Sequence, residues 1–133
     1  MVKMKNKTQI TVVLNVYKRL HNLAKQIDAL NSQTIKPDNI LIWKNNSDQD
    51  LPPEILTKAI VSQNNYNYGV WARFAFALNA KTKYICIFDD DTIPGKKWFE
   101  NCLTTMETCE GLLGTRGLRF KSRYRYSPND GFG

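Results

Sequence analysis

With 133 residues, the chain is long enough for one domain with a real core and short for a complete enzyme. Its 42% hydrophobic and 23% charged residues are ordinary for a soluble globular protein. No apolar run reaches the length of a membrane span, and Met1-Val2-Lys3-Met4-Lys5 lacks the apolar segment of a signal peptide. The net charge of +7 favours anionic partners. Its excess sits at the two ends (Lys3, Lys5, Lys7 and Arg116, Arg119, Lys121, Arg123, Arg125), and the near-balanced middle argues against a basic nucleic-acid platform.

After a basic arm over residues 1–9, Ile10-Thr11-Val12-Val13-Leu14-Asn15-Val16-Tyr17 is β-branched and apolar, a first strand. Leu20, Leu23, Ala24, Ile27 and Leu30 recur at helical spacing and end near 31–34. Ile40-Leu41-Ile42-Trp43 gives a second strand. The polar loop Asn45-Asn46-Ser47-Asp48 follows, and Pro52-Pro53-Glu54 can open a short helix at its first turn. Ala59-Ile60-Val61 predicts a third strand. Beyond Gly69, the residues Val70, Trp71, Phe74, Ala77 and Leu78 predict a helix with one apolar face.

Tyr84-Ile85-Cys86-Ile87-Phe88 reads as a strand buried on both faces. Trp98, Phe99, Cys102, Leu103, Met106 and Cys109 stripe a further helix, and Gly111-Leu112-Leu113-Gly114 predicts the start of another strand. The three cysteines, Cys86, Cys102 and Cys109, lack metal-ligand spacing and read as small core residues in a reducing compartment, which implies a cytoplasmic location. Strands alternating with helices predict a parallel-rich α/β sandwich in a single domain over residues 10–117, with a basic and aromatic tail or loop over 118–133.

The most informative feature is Asp89-Asp90-Asp91, directly after the apolar strand. Carboxylates there lie at the carboxyl edge of a sheet, where open α/β sheets bind ligands. Because crowded carboxylates repel, they call for a cation, Mg²⁺ or Mn²⁺ with a bound phosphate being the usual one. The plain alternative is a solvated acidic turn ahead of Pro94-Gly95.

Four features in this order resemble the nucleotide-binding half of a GT-A glycosyltransferase of the family 2 type. They are Asn15-Val16-Tyr17-Lys18-Arg19 ending the first strand, Lys44-Asn45-Asn46-Ser47 ending the second, Asn67-x-Gly69-x-x-x-Arg73, and Asp89-Asp90-Asp91-Thr92-Ile93-Pro94 as a DXD motif. The resemblance implies a Rossmann-like GT-A α/β/α sandwich with a mostly parallel sheet and its acceptor half missing or shortened. It also implies metal-dependent sugar transfer from a nucleotide sugar, first of all a UDP-sugar, to an unknown glycan, lipid or protein acceptor, with no nucleic acid as partner. By the same resemblance Asp91 binds Mn²⁺ or Mg²⁺ directly, while Asp89 and Asp90 face the ribose or the metal through water. Tyr17 packs on the base beside Asn15 and Val16, Asn45 meets the edge of uracil, and Arg73 bonds the base or a phosphate or braces the aspartates. The family usually has Asp-Asp-x-Ser where Lys44-Asn45-Asn46-Ser47 stands here, which leaves base identity open.

Inverting members of the family take their general base from the acceptor half. The acids after Asp91 are Glu100, Glu107, Glu110 and Asp130, of which the glutamates fall on the following helix, so no catalytic base is assigned in this chain. Two other readings compete: a Mg²⁺-dependent phosphatase of the haloacid dehalogenase type, whose aspartates follow the first strand, and a non-enzymatic module that holds polyanions through the basic ends.

Overall fold

The computed structural model describes residues 10–115. By its internal contacts the chain divides into two compact units, residues 1–100 and 101–133. The expectations for the basic arm over 1–9 and for the 118–133 tail therefore lie outside the described residues.

The first unit holds four parallel strands: β1 (Ile10–Val16), β2 (Asn39–Asn45), β3 (Ile60–Asn64) and β4 (Tyr84–Phe88), in the order β3-β2-β1-β4. Between them run one turn of 3-10 helix (Leu20–Asn22) leading into α1 (Leu23–Asn31), the single-turn α2 (Pro53–Leu56) and α3 (Ala72–Ala77). Pro53 opens α2 where its missing N–H costs nothing. The chain steps outward from β1 to β2 to β3, then returns over the sheet to place β4 on the other side of β1.

β1 is the buried spine, each of its seven residues being out of solvent. Register separates its two faces. Val13 lies opposite Leu41 and Ile87, and these pack with Phe76 and Ala77 of α3. Val12, Leu14 and Val16 point to the other side, where Ile42 is equally buried and α1 supplies the stripe Leu23, Ile27 and Leu30. Phe88 on that side also meets the rings of Trp98 and Phe99, at 5.9 and 6.3 Å between centroids.

Three expectations need correction. β4 is not buried on both faces: among the described residues it pairs with β1 alone, so it is an edge, and Ile85 is 47% exposed. Of the predicted apolar face of α3, only Ala77 packs. The helix is six residues long, and its contact with the sheet is made by Ala77 and Phe76, which leaves Trp71, Phe74 and Leu78 exposed. Gly111-Leu112-Leu113-Gly114 forms no strand, because Leu112 is fully exposed and 112–114 has no regular structure to pair.

Helix α4 (Trp98–Thr108) crosses the boundary between the units. Within the second unit its last turn is closed by Cys109 N–H donating to Thr105 O at 2.8 Å, and Cys109 is exposed rather than a core residue. No helix among the described residues is long and apolar enough to cross a membrane.

Candidate functional site

Where a sheet reverses its strand order, the loops leaving the neighbouring strands diverge and leave a crevice at their carboxyl ends. Here the reversal falls between β1 and β4. Tyr17, Lys18 and Arg19 leave β1 at that point, and Asp89, Asp90 and Asp91 leave β4. Sequence-distant groups thus meet because two adjacent parallel strands end within two residues of each other in register.

The aspartate loop is fastened from below by α1. Gln26 is 1% exposed, and its Nε2 donates to Asp89 O at 2.8 Å and Thr92 O at 2.9 Å. Asn22 Nδ2 donates to Asp90 O at 3.0 Å. Further along, Gln33 Nε2 donates to Gly95 O at 2.8 Å and Thr34 N–H to Lys96 O at 3.0 Å. A buried carbonyl without a donor costs about 1–3 kcal/mol, so these amides decide where the loop sits. Neither Asn22 nor Gln26 stood out as a site residue in the sequence. The available signal was Gln26 itself, a polar residue inside the stripe Leu23, Ile27, Leu30.

The three carboxylates are met by two guanidinium groups. Arg19 Nη1 reaches Asp90 Oδ1 at 3.1 Å and Asp91 Oδ2 at 2.7 Å. Arg73 Nη1 pairs with Asp89, and its Nε donates to Val70 O at 3.1 Å. Burial lowers the Arg73 pKa, since the charged form loses water, while the nearby Asp90 carboxylate works in the opposite direction. Arg73 is thus paired with the first of the three aspartates. Arg19, part of the first-strand motif without a role assigned to it, is the aspartate partner that sequence reasoning missed.

The other expected residues divide. Tyr17 is half-buried, with Lys18 Nζ 5.1 Å from its ring centroid. The Val16 side chain belongs to the core. Asn15 is buried, and its Oδ1 finds no hydrogen-bond partner among the described residues. Asn45 is 3% exposed and holds the Asn67–Gly69 turn: its Nδ2 donates to Asn67 Oδ1 at 2.7 Å, and its Oδ1 accepts from Tyr68 N–H at 3.0 Å. Asn67 Oδ1 also accepts from Gly69 N–H at 2.8 Å, and Gly69 takes φ of 66°, a left-handed conformation suited to glycine. The Asn-x-Gly-x-x-x-Arg element is therefore a turn that delivers Arg73 to Asp89, with Asn45 as its anchor.

Among the described residues no group of three or more His, Cys, Asp or Glu side chains is placed to hold a metal ion. Asp89 and Asp91 are each more than half exposed and each paired with an arginine, so the oxygens on hand are those of separate, solvent-open carboxylates. That suits a hard cation such as Mg²⁺ or Mn²⁺, which is held by one or two carboxylates with the remaining positions left to phosphate and water.

The profile of glycosyl transferase family 2 matches residues 11–132. The chain belongs to that family. Among solved structures it is similar to S. aureus TarS 1-349, with a TM-score of 0.60 and 14% sequence identity, over 80% of this chain and 39% of that one. This likeness shows the shared GT-A fold, and the chain spans well under half the length of that neighbour. A search of curated proteins finds no match. With the aspartates on the fourth strand of a family 2 fold, the phosphatase reading, which needs them on the first, loses its footing.

Proposed function

We propose that the chain is the donor-binding half of a metal-dependent glycosyltransferase, holding the nucleoside diphosphate of a nucleotide sugar while the sugar passes to an acceptor. The observation that carries this reading is the reversal of strand order between β1 and β4, with Tyr17 and Arg19 on one lip and Asp89, Asp90 and Asp91 on the other.

Asp91, with Asp89, would hold Mn²⁺ or Mg²⁺. Such an ion, when bound, supplies Lewis-acid stabilisation of the charge that grows on a departing diphosphate. Arg73 keeps Asp89 in place from its helix, and Gln26 fixes the backbone from which the carboxylates project. Tyr17 offers a flat face to the base, and Asn15 Oδ1 offers an acceptor still unmatched within the described residues. Uracil is the first expectation for the base. Asn45 contributes through the Asn67–Gly69 turn that it anchors. Glu100 accepts a hydrogen bond from Thr34 Oγ1 at 2.8 Å on α4 and Asp130 lies outside the described residues, so a general base is still assigned to no residue of this chain.

Thermal melts with UDP, GDP, CMP and dTDP, each with and without Mn²⁺ or Mg²⁺, test the proposal. A ligand at a hundredfold excess over its Kd adds about 2.7 kcal/mol, which for a domain of this size is a shift on the order of 10 °C. The expected result is a shift for one nucleoside diphosphate only when metal is present, lost in Asp91→Ala. No metal-dependent shift with any nucleotide would refute the reading.

A further inference from the structure

The two arginines at the aspartates are not equivalent. Arg73 is 11% exposed and tied by its Nε to Val70 O, so its pairing with Asp89 is built into the fold. Arg19 is 51% exposed, and within the described residues its side-chain hydrogen bonds are the two to Asp90 and Asp91. It stands three residues after β1, at the reversal point itself.

We propose that Arg19 is a diphosphate-binding residue which, without donor, serves as the counter-ion of Asp90 and Asp91. This rests on the donor-site reading above. Arg19 Nη1 lies 2.7 Å from Oδ2 of Asp91, the residue expected to take the metal. A guanidinium and a divalent cation held at the same carboxylate repel each other, so the cation weakens the Arg19 pair. Arg19 therefore leaves Asp91 when the cation arrives, and an ion pair this exposed holds it only weakly.

The formal charges say where it goes. Three carboxylates and two guanidiniums leave the free site with one negative charge, and a divalent cation turns this into one positive charge. The diphosphate restores the balance, and its oxygens match the planar fork of a guanidinium. Arg19 thus opposes metal alone and favours metal with diphosphate, which makes the two bind cooperatively.

Mn²⁺ binding to the 133-residue chain, read by the electron paramagnetic resonance of the free ion, and UDP and UMP binding by calorimetry with and without Mn²⁺ test this. Arg19→Ala is expected to bind Mn²⁺ alone about two- to fivefold more tightly, the gain from removing an exposed competing pair. Its Mn²⁺-dependent affinity for UDP is expected to fall about tenfold, as for one lost charge-assisted contact, with a smaller change for UMP. Arg19→Lys should recover part of the UDP affinity. Affinities for Mn²⁺ and UDP that stay unchanged, or that fall together with a lower melting temperature, overturn the proposal. Wild-type chain that shows no metal-dependent nucleotide binding refutes the donor site itself and this inference with it, and is told apart because no variant is needed to see it.

Discussion

Gln26 offers the sharpest check on how the aspartate loop is held. Gln26→Leu keeps the volume in the α1 stripe but removes both donors to Asp89 O and Thr92 O. Each hydrogen bond contributes about 1 kcal/mol net, and a carbonyl left inside without a donor raises the cost, so the substitution should destabilise the chain by about 2–3 kcal/mol. Urea unfolding measures it as a fall in midpoint with an unchanged slope. For a domain of this size the matching loss in melting temperature is on the order of 10 °C.

Q26E sharpens the same test through pH. A carboxylate facing two carbonyl oxygens is disfavoured, so its folded pKa lies above the unfolded value of about 4.3. The stabilising protonated form is then fully present below that unfolded value and is lost as pH rises through the folded pKa. Q26E should therefore be weak at neutral pH and recover on acidification relative to wild type. A cost below about 0.5 kcal/mol for Gln26→Leu, or a Q26E difference that does not change with pH, would show that the loop is held by something else.

Other outcomes follow from single residues. Gly69→Ala meets no atom within 4 Å of the added Cβ, so its cost is conformational alone, about 1–2 kcal/mol from the φ of 66°; Gly69→Asn should cost less, and equal costs would contradict this. Asn45→Ala releases the Asn67–Gly69 turn and should lower stability by about 1–2 kcal/mol in urea, with protection of the Tyr68 amide from hydrogen exchange lost. Burial raises the Cys102 thiol pKa, so its thiolate forms only at higher pH; iodoacetamide labelling followed by mass spectrometry should modify exposed Cys109 well before Cys102 at pH 8.

Much of the architecture was legible because strands announce themselves by β-branched runs. Ile10–Val16 and Tyr84–Phe88 fall where apolar runs begin and end, and the aspartates are read from the chain directly. What escaped was direction and distance. Trp71, Phe74 and Leu78 have helical spacing, yet spacing does not say which apolar side meets the sheet, and the short α3 turns Phe76 and Ala77 inward. Lys44 and Asn45 look like the start of a polar loop but are 2% and 3% exposed, because β2 runs on to Asn45 beside β3. Arg19 and Gln26 act on residues 63 to 72 positions away, and only the pairing of β1 with β4 brings them there.

That pairing also sets an order in time. β1, β2 and β3 lie side by side in the order they are synthesised, whereas the partner on the far edge of β1 is separated from it by about 70 residues. A nascent chain can assemble three strands early, but the carboxylates, and the amides of α1 that wait for their carbonyls, come together only once β4 has left the ribosome. Long-range parallel pairing of this kind is slow, so the edge of β1 stays open longest during folding, and it is there that aggregation during synthesis should begin.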